Sequence, residues 1–83
     1  MRVPATFIME FIRIETETIR LSQLLKLANA VQDGTEAKFR IVNEEVRVNG
    51  VVENRRGRKL RPGDRVEFAG ETYEVAADMS FTK

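Results

Sequence analysis

A chain of 83 residues buries about 60–65% of the surface its unfolded form exposes, enough for one modest core and hardly for a deep cofactor cleft. Apolar residues make up 42% and charged residues 33%, the balance of a soluble globular domain rather than a disordered or membrane-embedded one. Cysteine and histidine are both absent, which excludes disulfides, thiolate metal sites and the usual general base near neutral pH. These properties point to a binding module without metal or cofactor, not to an enzyme.

The stretch Met1 to Ile14 is apolar in places, but Glu10 and Arg13 interrupt it. Its apolar runs are far shorter than the roughly 7–15 residues of an export signal. No window approaches the ~20 apolar residues of a membrane-spanning helix. The expectation is one cytoplasmic domain over residues 1–83, away from the membrane.

Thr6 to Ile14 is rich in β-branched and aromatic residues, which predicts a strand. Phe7, Met9 and Phe11 would face one side, and Ile8, Ile12 and Ile14 the other, so both faces should be covered at least in part. The period then changes. Leu21, Leu24, Leu25, Ala28 and Val31 form the stripe of an amphipathic helix, with Ser22 as its expected N-cap and Arg20 projecting at its entrance. Gln23 and Lys26 fall in solvent.

Asp33 followed by Glu36 suits a capping box at the start of a second helix, about Thr35 to Asn43. That helix should bury Ala37 and Ile41 and leave Phe39 at an exposed flank. Asn49-Gly50 between β-branched flanks predicts a hairpin with a type I′ turn. Arg61-Pro62-Gly63-Asp64 fits a type II turn. Val66 and Phe68 alternate with charges in a strand, Ala69-Gly70 turns the chain, and a C-terminal strand over about 71–76 precedes a tail at 77–83. The order predicts an α+β domain: two to three short helices packed on a small, mainly antiparallel sheet.

Between the hairpin and the Pro-Gly turn lies Asn54-Arg55-Arg56-Gly57-Arg58-Lys59-Leu60-Arg61. Five of these eight residues are cationic, although the whole chain carries a net charge of only +1. Concentrated positive charge held between strands suits an anion, and arginine can bridge phosphate oxygens bidentately. Gly57 would let the backbone bend or approach closely. Lys26, Lys38 and Arg40 add charge from the helices, and Phe39 could stack on an unpaired base. Catalytic groups are scarce by contrast. Glu44 and Glu45 are sequence neighbours that point apart, and Gly57 and Gly63 do not form a Walker loop.

The segment Arg20-Leu21-Ser22-Gln23-Leu24-Leu25-Lys26-Leu27-Ala28 resembles the opening of an S4-type RNA-binding domain. Thr35-Glu36-Ala37-Lys38, Val46-Arg47-Val48-Asn49-Gly50 and Pro62-Gly63-Asp64 are similar to that family's later motifs, in the right order. The fit is best with small stand-alone bacterial S4 proteins, in which an added N-terminal strand, here 6–14, pairs with the C-terminal strand. The resemblance implies an S4-like (alpha-L) fold with its core at 20–68 and binding of structured RNA, ribosomal or transfer. Ribosomal particles are a further expected partner, and the expected state is a monomer. Carried over by position, Arg20, Lys26, Lys38, Asn49, Arg55, Arg56, Arg58 and Lys59 become RNA-binding candidates, beside Arg40 and Arg61 from the charge pattern. Two departures stand out. Many S4 domains have an arginine where this chain has Gly34, and basic residues where it has Glu44 and Glu45, so those acids should border the surface.

Two other readings remain open at this level. The stretch from Val48 to Phe68 is also similar to β-grasp sulfur-carrier proteins. The sequence closes on Ser80-Phe81-Thr82-Lys83 rather than Gly-Gly, which speaks against carrier chemistry but leaves a protein-interaction role. Duplex DNA binding is disfavoured, because neither helix carries enough base-reading side chains for a major groove.

Overall fold

The computed structural model describes residues 9–77. Alternating side chains make β1 (Met9–Ile14), and a short β2 (Ile19–Arg20) leads directly into α1 (Leu21–Leu27). Helix α2 (Gly34–Val42) follows, then β3 (Val46–Val48), β4 (Val51–Val52), β5 (Lys59–Leu60), β6 (Arg65–Phe68) and β7 (Glu71–Ala77). Five strands form one sheet in the order β1-β7-β6-β3-β4, and β2 pairs with β5 in a second, two-stranded sheet. All pairings are antiparallel except β1 with β7, which run parallel from Met9↔Thr72 to Ile14↔Ala77. The expected α+β architecture and the pairing of N-terminal with C-terminal strand are both present. Residues 6–8 of the expected first strand and 78–83 of the expected tail lie outside the described residues.

The core forms where the helices meet one face of the larger sheet. Leu21, Leu24 and Leu25 of α1 and Ala37 and Ile41 of α2 are fully buried, against Ile12, Ile14, Val46, Val48, Val66, Phe68, Tyr73 and Val75 of the sheet. Among the described residues the opposite face is open, and Phe11 remains 60% exposed, so within them the expected cover on both faces of β1 is not found around Met9 and Phe11. The helices pack on one side only, which is the side of Ile12 and Ile14.

The turn chemistry follows the sequence closely. Asn49 and Gly50 adopt φ of 53° and 86°, as the type I′ turn requires, and Gly63 takes 100° after Pro62. Asp33 Oδ1 accepts the Glu36 N–H at 2.9 Å, so the expected cap of α2 forms. The reciprocal arm differs: Glu36 Oε1 accepts from the Gln32 N–H at 2.8 Å.

Helix α1 departs from expectation twice. It ends at Leu27, because Asn29 takes a left-handed φ of 62°. Val31 therefore reaches the core from the connection rather than from the helix stripe. Its N-cap is Arg20, without a side-chain cap bond, instead of Ser22. The amides of Leu21 and Ser22 donate to the carbonyls of Arg58 and Arg56, at 2.8 and 3.1 Å. Donors that a helix start normally offers to a side chain are thus satisfied by the backbone of the basic loop. A local cap rule could not foresee a partner more than thirty residues away.

Candidate nucleic-acid interface

The basic loop is fixed to the fold at both ends. At its close, Leu60 is fully buried and Ile19↔Leu60 and Arg20↔Lys59 form the β2–β5 ladder. Burying a leucine side chain contributes about 1.5–3 kcal/mol, a substantial anchor for so short a strand. At its start, the chain leaves β4 into Glu53, whose amide donates to the Val46 carbonyl at 3.0 Å. The loop is therefore an ordered surface element, not a tail.

Glu53 organises the loop from within. Only 6% of it is exposed. Its Oε2 accepts from Arg55 Nε at 2.8 Å and from the Arg55 backbone N–H at 3.0 Å. Its Oε1 accepts from Arg55 Nη2 at 3.2 Å and from Arg58 Nη1 at 2.9 Å. The Arg55 hydrogen bonds hold the Glu53 carboxyl at about 2, against the opposing effect of burial, and Arg58 adds to the lowering. The same contact raises the pKa of Arg55 above its ordinary value. Glu53 is not among the residues that the sequence pattern singled out. Its signal was available, as the one acid within reach of the Arg-Arg-Gly-Arg run, but only a buried position turns proximity into a clamp.

The remaining candidates divide by location. Arg20 and Ser22 from the start of α1, Gly34, Thr35 and Lys38 from the first turns of α2, and Arg56 and Gly57 from the loop line one open groove of about 600 Å³. Lys59 stands directly across the two-stranded ladder from Arg20. Among the described residues, none of Arg20, Lys38, Arg56 and Lys59 makes an ion pair. Like charges placed directly opposite on paired strands cost stability, so this juxtaposition is not explained by the needs of the fold.

Other predicted residues sit elsewhere. Arg40 is bound to Glu45 at 3.0 Å and Glu36 at 3.5 Å, so its charge is matched within the helix region. Glu45 also accepts from Asn43 Nδ2 at 2.7 Å, and this bond, joined by Arg40, lowers its pKa. Asn49 is used by the fold: its Nδ2 donates to Asp64 at 3.2 Å and its Oδ1 accepts the Arg65 N–H at 3.0 Å. Arg61 lines a different depression with Glu15, Glu17 and Pro62. Lys26 lies beside Ile19, Gln23 and Leu27, outside the groove. Phe39 is 60% exposed on α2, as its helical position predicted.

Gly57 plays a different part from the one expected. Its φ is not left-handed, and a Cβ there would meet nothing within 4 Å. The bend does not require glycine, and the space around it beside Arg56 is open. Gly34 is equally unobstructed on the opposite wall.

An S4 domain family model matches residues 12–76. The chain belongs to the S4 domain family. It is 52% identical over 59 residues to the "Probable ribosome maturation protein RlbA" of Bacillus subtilis (strain 168), a match covering 71% of this chain and 83% of the relative. It is 39% identical over 59 residues to the "Putative RNA-binding protein YbcJ" of Escherichia coli (strain K12), covering 71% of this chain and 84% of that protein. The matched family region takes in both helices, the basic loop and every groove residue of this S4 domain. No helix among its described residues is long and apolar enough to cross a membrane. No cluster among them could hold a metal ion.

Proposed function

We propose that this S4-domain protein binds structured RNA, ribosomal RNA in particular, as a non-catalytic cytoplasmic factor in ribosome maturation. Backbone phosphates occupy the groove between the starts of the two helices and the basic loop. The observation that carries this reading is the Arg20–Lys59 pair of like charges across one ladder, bordering a groove that also holds Arg56 and Lys38. An anion between such cations relieves their repulsion, so binding returns stability that the free protein lacks. The names of the RlbA and YbcJ relatives favour the same partner.

The roles differ by residue. Arg56, with its fork free, and Arg20 bridge phosphate oxygens, while Lys38 and Lys59 supply point charges. Arg55 and Arg58 hold loop geometry through Glu53 and add a diffuse field. Recognition rests on phosphate placement and RNA shape more than on base edges, since the groove offers few groups for base reading. Four phosphate contacts, three in the groove and one from Lys59 at its border, imply that log K falls against log salt with a slope of about −3, shallower than five loop cations plus helix charges would give.

The test is co-sedimentation of the tagged protein with ribosomal particles, followed by sequencing of the RNA cross-linked to it. Recovery of discrete ribosomal RNA segments, lost in the folded Arg56→Ala protein, is the expected result. Equal recovery by wild type and Arg56→Ala, or enrichment of no RNA at all, rejects it.

A further inference from the structure

Helix α2 carries a second apolar surface that its own fold does not use. Ala37 and Ile41 fill the core side, yet Phe39 and Val42 stand 60% and 58% exposed. With Thr35, Lys38 and Asn43 they line a shallow depression of about 350 Å³. The spacing 35, 38, 39, 42 places these residues on one helical face. The Arg40 guanidinium, tied down by Glu36 and Glu45, lies 5.7 Å from the Phe39 ring centroid and steadies the ring. Thr35 and Lys38 belong to this depression and to the cationic groove alike. An anion site and an apolar shelf therefore adjoin, separated by one helical turn of about 5 Å.

We infer that the shelf receives an unpaired base of the same RNA, stacked on Phe39 against Val42, while a phosphate of that strand lies by Lys38 and Arg56. This inference rests on the RNA-binding reading and specifies its substrate class: an element with an extruded nucleotide, such as a bulge or loop, rather than a continuous duplex. A nucleotide joins an anionic phosphate to an apolar π face within one residue, which is the pair of chemistries adjoining here. Bases within an A-form duplex are stacked and out of reach of such a shelf; unstacked ones are free to splay onto an aromatic ring. The charge distribution disfavours a second copy as occupant. A two-fold contact centred on Phe39 would set Lys38 of each copy beside the other's cationic groove.

The probes are two short RNA hairpins, one with a single 2-aminopurine bulge and one fully paired, titrated at low salt with anisotropy and fluorescence read together. The bulged hairpin should bind more tightly, with quenching of 2-aminopurine. Phe39→Ala should weaken the bulged complex about tenfold and abolish the quenching, while leaving the paired hairpin's affinity unchanged. Phe39→Trp should restore both. If Phe39→Ala binds and quenches as wild type while Arg56→Ala loses affinity, the shelf is refuted and phosphate binding stands. If neither substitution changes binding, or neither hairpin binds at low salt, the RNA reading itself fails. If Phe39→Ala alters only self-association in sedimentation velocity, the shelf is a contact between copies and the inference is overturned.

Discussion

The two sheets of this protein handle charge in opposite ways. On the open face of the larger sheet, cross-strand partners alternate in sign: Arg47 stands opposite Glu67, and Arg65 opposite Glu74, with an ion pair of 3.2 Å. In the two-stranded ladder Arg20 stands opposite Lys59, with no carboxylate between them among the described residues. Opposed charges across strands favour the sheet by a few tenths to about 1 kcal/mol, and like charges cost a similar amount. A chain with 14 basic and 13 acidic residues has enough acids to neutralise nearly every cation. It places acids opposite cations on the sheet and leaves the groove cations without ion pairs among the described residues, which supports the proposal that the groove meets an anion. Net charge alone conceals this difference.

The sharpest way to break the comparison is to remove cations from the groove and from the larger sheet in turn. Arg20→Ala with Arg56→Ala should weaken RNA binding on the order of 30-fold and flatten the salt slope by about 1.5. Arg47→Ala with Arg65→Ala should leave affinity within about twofold, because those charges are already paired or far from the groove. Filter binding across a salt series measures both. Comparable losses from the two double variants would mean that affinity follows total charge and not the groove.

A second test addresses Glu53, the one acid placed inside the cationic region. Its carboxyl titrates at about 2 when folded, below the ordinary 4.5, so folding favours the ionised form. The stabilisation is therefore complete above about pH 5 and is lost as pH falls toward 2, by roughly 3 kcal/mol at most. Glu53→Gln should cost about 2 kcal/mol at neutral pH, since it leaves Arg55 and Arg58 without their counter-charge. It should also remove this part of the acid sensitivity, as urea melts at several pH values would reveal. An unchanged acid profile in Glu53→Gln would assign the acid sensitivity to other carboxylates.

The smallest expected effect is also the most diagnostic. Lys59→Glu turns the like-signed ladder into an opposite-signed one. It should raise stability by roughly 0.5 kcal/mol, or about 2–4 °C in Tm, while weakening RNA binding. A substitution that stabilises the free protein and impairs its binding is expected only where a cation is held for a ligand. A Tm that falls in Lys59→Glu would show that the Arg20–Lys59 juxtaposition carries no strain.

By itself the sequence determined the elements that depend on near neighbours. The period-2 and helical patterns, the Asp33 cap, and the Asn49-Gly50 and Pro62-Gly63 turns each arise from backbone geometry within a few residues, so local reading suffices. It also located the positive charge, because the Arg55–Arg61 run is contiguous. What only the tertiary structure decided is which charges are available. Glu53, Glu36 and Glu45 occupy Arg55, Arg58 and Arg40, while Asp64 and the Arg65 amide occupy Asn49. Arg20, Lys38, Arg56 and Lys59 come together from three separate segments because the loop backbone caps α1 and β5 pairs with β2. Those contacts span more than thirty residues, and a charge's partner depends on distance in space, on which separation along the chain is silent.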